Sequence, residues 1–201
     1  LSAFVRYIDR LQEKQIEMNV PATAPTGNVV SIQSIHRSKG LEFPVVILAG
    51  LGNQFNRESL NNPILLHPEA GIGMARQDPE TGHRFQTLPQ KGLSLTILNS
   101  ERTEELRVLY VAMTRAREKL CMVTTVPSAA DRLTKLAAAV GTENTLSSFA
   151  VINAQGMGDW VLMAALRHPS GYELRRLAGD EGISVRPADY PWKIEVVSPP
   201  P

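Results

Sequence analysis

Two short stretches concentrate the residues that could do chemistry: Ser34-Ile-His-Arg-Ser-Lys-Gly-Leu-Glu-Phe-Pro44 and Glu104-Glu-Leu-Arg-Val-Leu-Tyr-Val-Ala-Met-Thr-Arg-Ala-Arg117. In the first, Ser34 and His36 bring a hydroxyl and an imidazole to the end of a strand. Arg37, Ser38 and Lys39 are donors suited to phosphate oxygens. Gly40 lets the backbone take a positive φ or approach a ligand closely. Glu42 stands just before an apolar run, where an unpaired carboxylate is costly and calls for a ribose hydroxyl, a backbone amide or an arginine. In the second stretch, Arg107, Arg115 and Arg117 share a predicted helix, and Arg115 leaves its flank. An arginine beside a sheet edge can reach the phosphates of a nucleotide held by another domain, an effect worth roughly 10³–10⁵ in rate in phosphoryl transfer. The plainer alternatives are a polar loop whose charges face water and a solvated helix laced by pairs such as Glu104 with Arg107. Residue chemistry alone leaves both open.

The elements that must position these residues read as an α/β fold. Residues 28–35 are rich in β-branched side chains and predict a strand. Pro44-Val-Val-Ile-Leu-Ala49 is a short apolar run that predicts a strand covered on both faces, as in a parallel sheet. Residues 53–100 are turn-rich and predict short strands and irregular excursions rather than long helices. Leu106, Leu109, Tyr110, Met113 and Leu120 mark the apolar stripe of a helix over 101–120, followed by a buried strand over 121–126. Carboxyl ends of parallel strands are where such folds bind ligands. Upstream, Ser2 caps a predicted amphipathic helix carrying Phe4, Val5, Ile8, Leu11 and Ile16, and residues 21–27 form a linker. Downstream, Ser128 and Asp131 open a helix through Val140; two more helices cover 159–168 and 172–178, and 192–197 could form a strand. These signals divide the chain into an entering helix and linker (1–27), an α/β lobe (28–127) and a helical C-terminal appendage (128–201).

Composition narrows the classes. A formal net charge of +1 over 201 residues gives no global field for nucleic acid, so DNA contacts must come from local placement. The single cysteine, Cys121, excludes an internal disulfide and sits in an apolar run that predicts a core thiol. Four scattered histidines show no metal-ligand spacing. No apolar run approaches the roughly 20 residues of a membrane helix, and no signal peptide is evident. The chain lacks an initiating Met and ends in Ser-Pro-Pro-Pro201, so a piece of a longer cytoplasmic protein is expected.

Together the two stretches resemble motifs V and VI of the superfamily 1A DNA helicases, the UvrD/Rep/PcrA group. That family's first motif reads T-hydrophobic-H-x-[AS]-K-G-L-E-F/W, and its second E-E-x-R-L-x-Y-V-A-x-T-R-A. The runs Gly50-Leu-Gly-Asn-Gln-Phe-Asn56 and Trp160-Val-Leu-Met-Ala-Ala-Leu-Arg-His-Pro169 are similar, further, to the A subunit of the bacterial AddAB (RexAB) helicase–nucleases. The resemblance implies part of a RecA-like parallel sheet with flanking helices, the second of two motor lobes that clasp ATP and Mg²⁺. It implies that Arg115 contacts the γ-phosphate, that Glu42 contacts the ribose and that Gly40 lies beside the nucleotide. Ser34 and His36, with Arg37 and Ser38 beside them, would lie on the single-stranded DNA track. Ser34 departs from the usual threonine, keeping the hydroxyl and losing a methyl; Arg37 replaces a small residue or lysine. The implied partners are DNA, both a single-stranded track and duplex ends, a first RecA-like lobe and an AddB/RexB-like second subunit. The implied role is double-strand-break repair and recombination. A plain UvrD-like helicase without a nuclease, or an idle DNA-binding or docking module, are the alternatives. Walker A, Walker B and the E-x-K or D-x-K end of a nuclease site are missing, so the chain alone is expected to be inactive.

Overall fold

The structure is a computed structural model that describes residues 29–141, 145–179 and 182–197; the helix expected near the N-terminus lies outside them. Contacts divide the chain into residues 1–34 and 35–201. Within the first unit, the strand expected over 28–35 does not form at the described residues 29–34. The reason is pairing: Val30 and Ile32 are 94% and 99% exposed, and β-branched residues make a strand only where a neighbour takes up the backbone N–H and C=O groups.

The second unit opens with a 3₁₀ turn at His36–Ser38 and strand β1 at Phe43–Leu48. An excursion follows, with a 3₁₀ turn at Glu58–Asn61, a hairpin of β2 (Ile64–His67) and β3 (Gly71–Met74), and a ribbon of β4 (Arg76–Gln77) and β5 (Arg84–Phe85). Helix α1 (Leu88–Met113) then returns the chain to strand β6 (Ala116–Met122), which pairs with β1 in parallel, Val45–Leu48 opposite Lys119–Met122. A parallel pair needs such a crossover. The register slips between Phe43 and Val45, where Pro44 has no N–H to give the ladder.

Only one face of this pair is covered among the described residues. Val46, Leu48, Leu120 and Met122 join the core, whereas Val45 and Ile47 are 52% and 64% exposed. The expectation of burial on both faces is corrected accordingly. Cys121, on that open side opposite Ile47, is half-buried rather than a core thiol.

Helix α1 starts well before the expected residue 101. The Thr87 side chain accepts from the Gln90 N–H, and a proline sits in the first turn, a start signal masked by reading Leu-Pro as a turn. It also ends earlier than expected, at Met113, so Leu120 belongs to β6 rather than to the helix stripe. Helices α2 (Ala129–Val140), α3 (Ser148–Ile152), α4 (Met157–Arg167) and α5 (Tyr172–Ala178) complete the fold. Three of these four agree with the sequence reading, although Ser128 makes no side-chain cap bond and α4 begins two residues early, at Met157. Residues 192–197 form no strand; Trp192 stacks on His168 at 4.5 Å between ring centres. One hydrophobic core joins Leu48 and Leu109 to Leu133, Trp160, Leu166 and Leu174, so packing runs across residue 127 without a gap. The fold is mixed α/β, a parallel strand pair with flanking helices.

Candidate functional site

Both motifs meet at the amino ends of β1 and β6. The loop 36–42 feeds β1, and Thr114 and Arg115 link α1 to β6. Two hydrogen bonds stitch them together. The Phe43 N–H donates to the Arg115 carbonyl at 2.9 Å, and Arg115 Nη1 donates to the Leu41 carbonyl at 3.0 Å. Arg115 Nε donates to Val111 O at 2.9 Å, closing the end of α1, and Nη2 donates to Thr114 Oγ1 at 3.0 Å. A guanidinium carries five N–H donors. Three are engaged, which leaves one each on Nη1 and Nη2 among the described residues.

Around Arg115 the loop is arranged as a turn with an open rim. Gly40 has φ +84° and nothing within 4 Å of where a Cβ would stand. Its conformation, rather than crowding, demands glycine. Glu42 is exposed and makes no hydrogen bond or ion pair among the described residues. His36 and Arg37 are exposed on the 3₁₀ turn. Ser38 instead is buried, and its hydroxyl donates to Ile35 O at 2.7 Å, so it serves the turn from inside. Ser34 belongs to the other unit and is exposed. Thus Arg115, Gly40 and Glu42 are brought into one region with the loop that carries His36 and Arg37. Arg117 does not join them: it lies in β6, and Arg107 pairs with Glu104 along α1 as expected.

Sequence reasoning missed two participants. The Leu41 carbonyl and the Thr114 hydroxyl clamp Arg115, and only the structure shows a backbone acceptor. Elsewhere on α1, Arg102 is 2% exposed, with its guanidinium 4.0 Å above the Phe55 ring. Its Nε and Nη2 make no hydrogen bond among the described residues, and burial is the first cause that holds its pKa below the usual arginine value, with Arg57 next. It borders a cavity of about 280 Å³ with Asn56, Ser59, Glu101 and Glu105. Among the described residues no three His, Cys, Asp or Glu side chains gather as a metal-ligand set. No described helix is long and apolar enough to cross a membrane.

Comparisons with known proteins agree on one family. Residues 7–126 match the UvrD-like helicase C-terminal domain. The chain is 38% identical over 197 residues to the A subunit of an ATP-dependent helicase/nuclease from Lactiplantibacillus plantarum, covering 98% of this chain and 16% of that protein. The proteins of that name from Moorella thermoacetica and Desulforudis audaxviator are 39% and 40% identical over 98% and 94% of the chain. The chain spans only 14% and 15% of those two relatives. A family match over more than half of the chain and an ordered pair of motifs folded into one site lead to the same place: the chain belongs to the UvrD-like helicase C-terminal domain family.

Proposed function

We propose that this chain is the RecA-like second motor lobe of an ATP-dependent DNA helicase–nuclease, supplying an arginine finger to a nucleotide held chiefly by a first lobe. The observation that carries this reading is the stitch between motifs, in which Arg115 is fixed by its own helix end and by the loop that carries Gly40 and Glu42. Residues 28–127 would form the lobe, residues 1–27 would enter it, and residues 128–201 would lead towards a nuclease domain.

The residues present fit ATP as one wall of its site. Arg115 keeps two donors uncommitted, enough for a fork on phosphate oxygens. Glu42 offers an unpaired carboxylate to ribose hydroxyls, and the open backbone at Gly40 admits a close neighbour. Bound ATP with Mg²⁺ supplies the phosphoryl group whose transfer drives translocation. Arg115 stabilises charge that develops on it, in a position set before the reaction. His36 and Arg37 face DNA from the same loop, with Ser34 preceding them and Ser38 holding the turn. A change at Arg115 therefore moves the loop through Leu41 and Phe43, which ties DNA contact to hydrolysis. By this reading the protein acts in double-strand-break repair and recombination in the cytoplasm, beside an AddB/RexB-like partner.

The test is Arg115→Ala in the full-length protein. DNA-stimulated ATP turnover is expected to fall about 10³-fold or more, with single-stranded DNA binding retained. Undiminished turnover would sink the proposal and favour a docking module that kept the fold.

A further inference from the structure

We infer that the Thr114 hydroxyl is a positioning residue for Arg115, fixing the plane of its guanidinium; the inference rests on the arginine-finger reading above. Three acceptors hold this side chain: Val111 O on Nε, Leu41 O on Nη1 and Thr114 Oγ1 on Nη2. Two are backbone carbonyls; Thr114 is the only side chain among them. Its hydroxyl is itself oriented, because it donates to Val111 O at 3.0 Å and so turns its lone pairs to Nη2. The same carbonyl also accepts from Arg115 Nε, closing a ring of three bonds at the helix end.

The chemistry of that ring is specific. Only a group that donates in one direction and accepts in another can fill the position, which serine can do and valine cannot. Thr114 is the first residue past α1 and is exposed, so the hydroxyl is not needed to fill the core. With Oγ1 removed, the guanidinium keeps contacts on Nε and Nη1 but loses the one that holds its far end. A reacting group misplaced by about 1 Å can cost on the order of 10²-fold in rate. The uncommitted donors of Nη1 and Nη2 would then no longer meet the phosphate together.

The experiment compares Thr114→Val, Thr114→Ser and Arg115→Ala in the full-length protein, reading kcat and KM for ATP in DNA-stimulated hydrolysis with thermal unfolding alongside. Thr114→Val is expected to lower kcat about 10-fold or more, with KM for ATP changed less than about 3-fold and melting unmoved. Thr114→Ser is expected to restore kcat to within about 3-fold of the parent. Three outcomes would overturn the inference. Normal kcat in Thr114→Val beside a dead Arg115→Ala would show that the finger needs no such support. Equal loss in the valine and serine variants would assign the effect to the methyl group or to the fold. Normal turnover in Arg115→Ala would instead remove the finger itself, a failure of the underlying reading.

Discussion

Arg115 divides its donors between holding itself and reaching outward, and a planar fork is what makes that division possible. A lysine keeps the charge but cannot satisfy Val111 O, Leu41 O and Thr114 Oγ1 at fixed angles. Arg115→Lys is therefore expected to lose nearly as much ATP turnover as Arg115→Ala in steady-state assays of the full-length protein. Gly40 poses a separate question, because its surroundings are empty and only its φ of +84° resists a side chain. Gly40→Ala should cost about 1–2 kcal/mol in urea unfolding of this chain, a purely conformational penalty. Asp78 gives a residue-scale pH effect. The Glu80 backbone N–H, and then the Thr81 side chain, hold its carboxyl below the usual value, so the turn between β4 and β5 is favoured while Asp78 is ionised. A depressed pKa gives stability that is present above about pH 4 and lost as pH falls through the folded value. Amide shifts of Glu80 followed by NMR into acid should move at a lower pH than those beside an unpaired aspartate.

At the scale of elements, polar burial decides more than propensity. Asp159 near the start of α4 accepts from the Gln155 N–H and from Arg132 Nε, and forms a salt bridge with Arg132 of α2. Removing the carboxylate leaves a half-buried cation without its partner, so Asp159→Ala should cost about 3 kcal/mol in chemical denaturation. Arg102 is the reverse case. Its guanidinium is buried over Phe55 with Nε and Nη2 making no hydrogen bond among the described residues, and Glu101 and Glu105 only offset the charge from nearby. Neither pair was legible in sequence: Arg102 reads as one more charge on a helix full of them, and Asp159 as a first-turn acid. What was legible was local. The apolar run of β1 and the Tyr172–Ala178 helix ended by Gly179 are set by residues beside one another in the chain. The early start of α1 was missed because Leu88-Pro89 serves a turn and a helix start equally well. The strand expected over 28–35 failed because a strand depends on a partner that composition cannot supply.

For the whole molecule, the site was legible as two motifs and illegible as a geometry. Nothing in the residues told that the Leu41 carbonyl would meet Arg115, or that the shared edge would be the amino ends of the strands. The open face of β1 has a consequence for handling. Parallel strands are normally covered on both faces, and Val45 and Ile47 here meet solvent among the described residues. This chain on its own is expected to bind a hydrophobic dye and to hydrolyse no ATP above blank, since Walker A and B sequences are missing from it.

The bond from the Phe43 N–H to the Arg115 carbonyl lies next to Pro44, which has no amide hydrogen at all. Phe43 is thus an isolated proton at the seam between the two motifs, with no exchangeable neighbour on its C-terminal side. Hydrogen–deuterium exchange at that one position would act as a built-in gauge of whether the seam is closed. Slow exchange marks the stitched state, and faster exchange marks moments when the loop lets go of the arginine. A spectroscopist can therefore watch the link between the two motifs by following one amide, with no label or probe attached to the protein.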